Sequence, residues 1–278
     1  MKKQVILSFI PLLLIACGDG TEKKAAEKLG QALEAFDARD FSRAKMEIDS
    51  IKILYPKAFA ARKEGIKLMQ QVELAEQKQT VVYLDSILAE KQATFEAIKG
   101  RFALEKDTAY QEVGNYMWPT QVVEKNLHRS YLRFQVSEQG AMSMTSIYCG
   151  SSNIHHLAVK IIAPDGTFAE TPTSNDSYET TDLGEKIEKA DYLLGQDGDV
   201  MRFIYFNHDK NLKVEYMGGA KYTTTLSAAD RQALKETYEL SQVLLAIEQA
   251  RKEKEEANLK IGFVSRKMEE DQKANTAQ

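Results

Sequence analysis

Apolar residues recur at every seventh position between residues 74 and 102, and this spacing constrains the fold more than any other feature of the sequence. A sustained seven-residue row is typical of a long helix that buries one apolar seam. A helix from Ala58 to Glu112 would be roughly 80 Å long at 1.5 Å per residue, so we expect it to project or to bend. The row consists of Leu74, Val81, Leu88, Phe95 and Phe102, with Leu84 and Ile98 at intermediate positions.

Two shorter helices are predicted ahead of the long one, within residues 24 to 66. Apolar side chains three or four positions apart mark each helix. The second helix is expected to stop at Tyr55, because Pro56 disfavours helical backbone in the residue before it. The apolar positions are Leu29, Leu33 and Phe36 in the first helix, and Phe41, Ala44, Ile48 and Ile51 in the second.

The same region resembles a single tetratricopeptide hairpin. Asp40 and Phe41 open the second helix, Ala44 stands at the close-packing position and Pro56 at the exit, at the spacing of that family. The first helix departs from the family pattern, with no large aromatic residue and with Ala32 where glycine is usual. The resemblance implies two antiparallel helices. A generic helical pair is the alternative, since repeat arrays need about three units to be stable.

The pattern changes to that of strands between residues 115 and 226. Apolar and polar residues alternate, which is the period of a strand with one buried face. The run from Met201 to Phe206 is apolar on both faces, as expected of a central strand. We therefore predict an antiparallel β-sheet or sandwich domain of about five to eight strands. The alternating runs are Leu132, Phe134 and Val136; Leu157, Val159 and Ile161; and Leu212, Val214 and Tyr216.

A second long helix is predicted for residues 227 to 278. Ser227 can cap its amino terminus, Asp230 lies in the first turn, and the sequence from Arg251 onward is mostly charged. The helix entering the β region and the helix leaving it most simply form an antiparallel pair. The predicted fold class is therefore α+β, with a helical segment over residues 24 to 114, a coiled-coil-like helix pair and an inserted antiparallel β domain.

Motifs for catalysis, metal binding and nucleic-acid binding are missing from the sequence. The 37 basic and 41 acidic residues give a net charge of −4 and form no dominant basic patch, which argues against nucleic acid. His155 and His156 are adjacent, but neighbours in a strand point to opposite faces, and no CxxC or HExxH motif accompanies them. There is no GxSxG motif and no SxxK motif in a plausible context. The sequence predicts no metal, no cofactor and no enzymatic activity.

Four aromatic residues gather near the predicted junction of helix and sheet, namely Tyr110, Tyr116, Trp118 and Tyr131. Aromatic side chains can stack on a sugar or anchor a protein partner, and these four are a candidate interaction surface. Packing inside the protein is the alternative role for them.

The first sixteen residues are predicted to be a secretory signal peptide. Lys2 and Lys3 precede an apolar run that is shorter than the roughly 20 residues a membrane-spanning helix needs. The run closes with Leu14-Ile15-Ala16-Cys17, which resembles the lipobox of bacterial lipoproteins. The resemblance implies cleavage before Cys17, attachment of lipid to its thiol, and a membrane tether over residues 17 to 23.

The residues after Cys17 bear on localisation. Gly18 follows the cysteine where an aspartate would favour inner-membrane retention in enteric lipoproteins, so the outer membrane is expected. Asp19 and Glu22 resemble the acidic export tag of surface lipoproteins in the Bacteroidetes, and both the periplasmic face and the cell surface stay open. Cys149 is the only other cysteine and is predicted to be a small buried apolar residue without a disulfide partner.

These features together predict a lipid-anchored, non-catalytic lipoprotein of the cell envelope that acts as a scaffold or adaptor in protein contacts. The alternative is a surface lipoprotein whose β domain binds a glycan or another small ligand. An apolar groove along the helices would favour the scaffold. A concave aromatic surface on the sheet would favour ligand binding.

Overall fold

The computed structural model describes residues 20 to 276, so Cys17 and the predicted leader lie outside the described residues. Within that range the protein is mixed α+β, which confirms the predicted fold class. The helices are α1 (Gly20–Asp37), α2 (Phe41–Leu54), α3 (Phe59–Lys99), α4 (Val200–Phe206) and α5 (Ala228–Thr276). The strands are β1 (Ala103–Glu105), β2 (Asn115–Met117), β3 (Tyr131–Ser137), β4 (Met142–Gly150), β5 (Ala158–Ile162), β6 (Phe168–Glu170), β7 (Ser177–Asp182), β8 (Glu185–Leu193), β9 (Lys213–Met217) and β10 (Lys221–Thr225).

The described chain forms two compact units. The helical unit contains the residues up to Val82 and those from Glu255 onward, and therefore α1, α2 and parts of α3 and α5. The β unit contains Tyr83 to Lys254, and therefore every strand of the described residues together with α4.

The helical unit begins with a two-helix hairpin. Asp40 accepts a hydrogen bond from the backbone N–H of Arg43 (3.0 Å), so α2 starts at Phe41, where the sequence predicts its opening. Ala32 of α1 and Ala44 of α2 are fully buried in one cluster, because their small side chains let the two helices approach closely. The helix–turn–helix predicted here is confirmed, and the tetratricopeptide resemblance stays a prediction.

The C-terminal helix α5 packs on α3. In the helical unit, the side-chain amide of Gln70 donates to the carboxylate of Asp271 (2.7 Å). In the β unit, Lys254 of α5 forms an ion pair with Asp85 of α3. The predicted pairing of the two long helices is therefore confirmed.

The helix predicted to reach Glu112 ends at Lys99 instead. Gly100, a poor helix former, follows directly, and the chain turns into β1, which pairs with β2. Phe102, the last residue of the seven-residue row, packs against the core of the β unit rather than extending the helical seam. The prediction of helix over residues 100 to 112 is wrong.

Two antiparallel sheets make up most of the β unit. The six-stranded sheet has the order β1-β2-β3-β4-β8-β7, and the four-stranded sheet has the order β10-β9-β5-β6. The alternating residues fall on buried faces as predicted, except Leu157, which precedes β5 and is 38% exposed. One hydrophobic core combines both sheets with α4 and the first part of α5. Fully buried members include Leu132, Phe134 and Val136 of β3 and Val159 and Ile161 of β5.

The apolar run from Met201 to Phe206, predicted as a central strand, is the helix α4. The buried carboxylate of Asp197 accepts the backbone N–H of Met201 (2.7 Å), which stabilises the first turn of the helix. Val200, Met201 and Ile204 are buried at helical spacing, whereas Phe206 is largely exposed. The strand prediction is wrong here, since a short apolar run without alternation does not distinguish the two structures.

Strand β7 forms one end of the six-stranded sheet, and its residues are polar except for the exposed Tyr178. It pairs with β8 on one side, and Glu179, Thr181 and Asp182 are exposed. The side of β7 away from β8 therefore presents backbone groups flanked by charged and hydroxyl side chains.

Candidate functional site

A groove of about 380 Å³ opens in the helical unit. Helices α2 and α3 form most of its lining, and α5 contributes one residue of the rim. We call this surface the helical groove. Its apolar side chains are Ile48, Ile51, Ile66 and Met69, and its charged side chains are Asp49, Lys52, Arg62, Glu73 and Lys267.

Helical spacing explains why apolar surface faces this groove. Arg62, Ile66, Met69 and Glu73 follow one another at intervals of three or four and so share one face of α3. Ile51 of α2 is buried at the floor, whereas Ile66 is 57% exposed. Apolar surface left in water at a concave site is the surface that a partner gains most by covering.

The charged side chains of the helical groove are available to a partner. The three basic and two acidic residues form no ion pair with any other residue in the range 20 to 276. The guanidinium of Arg62 donates to the backbone oxygen of Pro56 (2.7 Å), which fixes its position without neutralising its charge. The excess of one positive charge favours a partner that carries acidic residues.

The four aromatic residues singled out from the sequence do not come together on one exposed surface. Tyr110 is 89% exposed, and the other three take part in packing contacts. This placement supports the packing role for those three. The contacts are Tyr116 with Phe95 (5.8 Å between ring centroids), Trp118 with Phe102 (5.3 Å), and buried Tyr131 under the guanidinium of Arg129 (4.6 Å).

His155 and His156 point in different directions, although they lie in a loop rather than in the strand that we expected. The exposed imidazole of His155 has its Nδ1 2.8 Å from a carboxylate oxygen of Glu179. The buried imidazole of His156 has its Nδ1 3.0 Å from a carboxylate oxygen of Glu188. The two rings therefore have separate acidic partners.

Glu188 lies close enough to His155 and Glu179 for the three to suggest a metal site, with ligand atoms within 4.8 Å of one another. Its two oxygens already accept four hydrogen bonds, which occupy the lone pairs that a metal would need. The geometry thus leaves two exposed ligands and does not support a metal centre. The four donors are the backbone N–H groups of Ile154 (2.7 Å), His155 (2.9 Å) and His156 (2.8 Å) and the ring of His156 (3.0 Å).

Ser146, His156 and Glu188 form a chain in the order of a hydrolytic triad. The Oγ of Ser146 is 2.9 Å from Nε2 of His156, and Nδ1 of His156 faces Glu188. All three side chains are buried, and none of them lines the helical groove. We assign this buried chain a structural role, because it satisfies polar groups inside the core.

The sequence analysis did not identify the hydrogen bonds that join Ser146, His156 and Glu188, although one signal for them was present. Glu188, Ala190 and Tyr192 alternate along β8 and face the core together, so a charged residue occupies an otherwise apolar face. A carboxylate in that position requires partners.

Comparison with protein-family models, with curated proteins and with solved structures finds no match to this chain. Across residues 20 to 276, the helices lack a segment both long and apolar enough to span a membrane.

His156 and Glu188, the two titratable members of the buried hydrogen-bonded series, each have one favoured protonation state. Burial lowers the pKa of His156 below its ordinary value, and the nearby carboxylate of Glu188 opposes this effect only in part. Burial alone would raise the pKa of Glu188, but the backbone N–H groups of the loop stabilise its carboxylate and the pKa lies below its ordinary value. The pair is therefore a neutral imidazole beside a carboxylate near neutral pH.

Acidification should destabilise the protein through His156. The unfolded chain takes up a proton at this residue near its ordinary pKa of about 6.5, whereas the folded chain does so only at lower pH. The stability that the neutral imidazole contributes is thus complete above about pH 6.5 and is lost as the pH falls toward the folded pKa. Urea unfolding at a series of pH values from neutral to mildly acidic measures this loss.

The His156→Gln variant should show a flatter dependence of stability on pH than the unchanged protein. His155→Gln is the control, since the bond to Glu179 raises the pKa of the exposed His155 and its contribution has the opposite sign. Parallel pH profiles for the unchanged protein and the His156→Gln variant would contradict the assignment.

Proposed function

We propose that this chain is a lipid-anchored, non-catalytic protein of the cell envelope that acts as a scaffold or adaptor. In this proposal the helical groove holds an amphipathic segment of a partner protein. The segment presents apolar side chains to Ile66 and Met69 and acidic side chains to the basic residues of the rim.

The helical groove is the observation that carries the proposal. It combines a partly exposed apolar lining with charged side chains that have no ion-pair partner within the described residues. Grooves that accept amphipathic helices have this combination of an apolar floor and a polar rim. The buried position of the Ser146 hydroxyl supports a non-catalytic role.

The anchor and the location belong to the same proposal. The lipobox-like Leu14-Ile15-Ala16-Cys17 supports attachment through Cys17, and Gly18 supports the outer membrane. Two or more acyl chains on one cysteine make membrane attachment stable. The proposal covers either face of that membrane.

Introducing a charge into the helical groove should weaken partner binding. Ile66→Asp would place a carboxylate where the partner's apolar side chains are buried, and we expect the affinity to fall by at least about tenfold. Because Ile66 is more than half exposed, the variant should fold normally. A photo-crosslinking residue at position 66 identifies the partner in the native envelope, and titration of the purified partner measures the affinity.

Ile53→Asp is the matched control for this experiment. Ile53 lies on α2, is 74% exposed and does not line the helical groove. The partner should crosslink at position 66 and not at position 53, and it should bind the Ile53→Asp variant unchanged. Equal crosslinking at both positions, or equal affinity of both variants, would contradict the groove as the docking site.

A further inference from the structure

Tyr216 is a fully buried residue of β9 whose hydroxyl lacks a hydrogen-bond partner anywhere in residues 20 to 276. Its ring is fixed by neighbouring rings, with centroids 5.3 Å from His156 and 5.8 Å from Tyr222. A buried hydroxyl without a partner is unfavourable, and native proteins usually satisfy such groups with water or a ligand. This hydroxyl therefore needs a partner that the chain itself does not provide.

Tyr216 is one of the residues that line a pocket of about 330 Å³ in the β unit. Burial raises the pKa of this phenol, and the groups whose charges act on it most are Asp230, Tyr222, Arg129 and Tyr131. All four of these residues also line the pocket. The pocket volume lies at the low end of the range of about 300–1,000 Å³ that is typical of small-ligand sites.

The charged groups of this pocket neutralise one another. The guanidinium of Arg129 donates two hydrogen bonds to the carboxylate of Asp230 (2.7 and 3.1 Å). Its Nε donates to the side chain of Asn126 (2.8 Å), and its face covers the ring of Tyr131. At the rim, His128 is paired with Glu185. The site therefore offers no free charge to an ionic ligand.

Hydroxyl groups and aromatic surface are what remain for recognition. Tyr216 of β9 supplies one hydroxyl, and Tyr222, Thr224 and Thr225 of β10 supply three more. Tyr222 is 37% exposed, so part of its ring is accessible at the opening. Neutral hydroxyl donors and acceptors beside an aromatic ring match the chemistry of a sugar.

We propose that this pocket binds a neutral, hydroxyl-rich small molecule of the size of a single sugar residue, with the Tyr216 hydroxyl as its deepest hydrogen-bonding group. The site belongs to the β unit and is independent of the helical groove. The proposal therefore goes beyond the scaffold function and can fail without affecting it.

Binding of monosaccharides by the purified full chain tests the proposal. Calorimetry or ligand-observed NMR with glucose, galactose and N-acetylglucosamine gives the affinities, and inorganic phosphate serves as the anionic probe. Tyr216→Phe removes the deepest hydroxyl and keeps the ring, and we expect the Kd for the bound sugar to rise by about tenfold. Thr224→Val is a second variant that removes a hydroxyl from the lining and should also weaken binding.

Tyr148→Phe is the matched control. The hydroxyl of Tyr148 donates to the backbone oxygen of Ser152 (3.0 Å), and the residue packs beside Tyr216 without lining the pocket. The sugar should bind this variant as it binds the unchanged protein. Absence of saturable sugar binding, binding of phosphate as tight as that of any sugar, or an unchanged Kd in both pocket variants would overturn the proposal.

Discussion

Replacing Glu188 with alanine should lower the free energy of unfolding by about 3–5 kcal/mol, because it removes one partner of a buried polar network and leaves the others unsatisfied. The lost carboxylate accepts three backbone N–H groups of the loop before β5 and the ring of His156. Those donors stay buried without acceptors. Alanine is also smaller than glutamate, so the substitution leaves a cavity. Urea unfolding followed by circular dichroism measures the change.

Glu179→Ala is the control for the Glu188 variant. Glu179 is exposed on β7 and accepts from His155 at the surface, where water screens an ion pair so that it contributes little to stability. Glu188→Gln keeps the shape but places an amide where only acceptors are needed, so it should also destabilise the protein. Equal stabilities of the Glu179 and Glu188 variants would show that the loop holds its position by other contacts.

Replacing Cys17 with serine should move almost all of the protein from the membrane fraction to the soluble fraction. The proposed anchor consists of acyl chains on the cysteine, each with an affinity of about 0.8 kcal/mol per buried CH₂, and serine does not receive them. Fractionation of cells followed by immunodetection measures the redistribution. Mass spectrometry of the N-terminal peptide of the unchanged protein should give the added mass of the lipid on Cys17.

Cys149→Ser is the matched control for the anchor. Cys149 is partly buried in β4, and burial raises the pKa of its thiol, which makes the thiol a poor nucleophile. This variant should stay in the membrane fraction. A bare Cys17 in the mass spectrum, or membrane association of the Cys17→Ser variant equal to that of the control, would refute the lipid anchor.

The periods of apolar residues were enough to predict the fold class. The rows with intervals of three, four and seven gave the helices, and the alternation of Leu132, Phe134 and Val136 gave a strand with one buried face. Two elements were assigned wrongly because the deciding contact lies outside the periodic run. Asp197 stabilises the start of α4 from a position before it, and Gly100 ends α3 although Phe102 keeps the seven-residue spacing.

The candidate sites were less accessible to sequence reasoning than the fold. The two helices that line the helical groove were predicted, but the gap between them depends on how α2 and α3 pack, which the spacing of residues does not define. The partners of Glu188 are about thirty residues away along the chain, so only the folded structure brings them together. The alternation of Leu212, Val214 and Tyr216 predicts that Tyr216 is buried, but it does not show that the hydroxyl of this residue lacks a hydrogen-bond partner.

The polar end strand β7 has a consequence for molecules crowded on a surface. Proteins tethered to one leaflet meet repeatedly in two dimensions, and an unprotected sheet edge would then recruit the edge of a neighbour. The carboxylates of Glu179 and Asp182 on β7 would face identical charges on an approaching copy, so such edge-to-edge joining is repelled. For the proposed membrane-anchored form, this repulsion would oppose polymerisation through the β7 edge at high surface density.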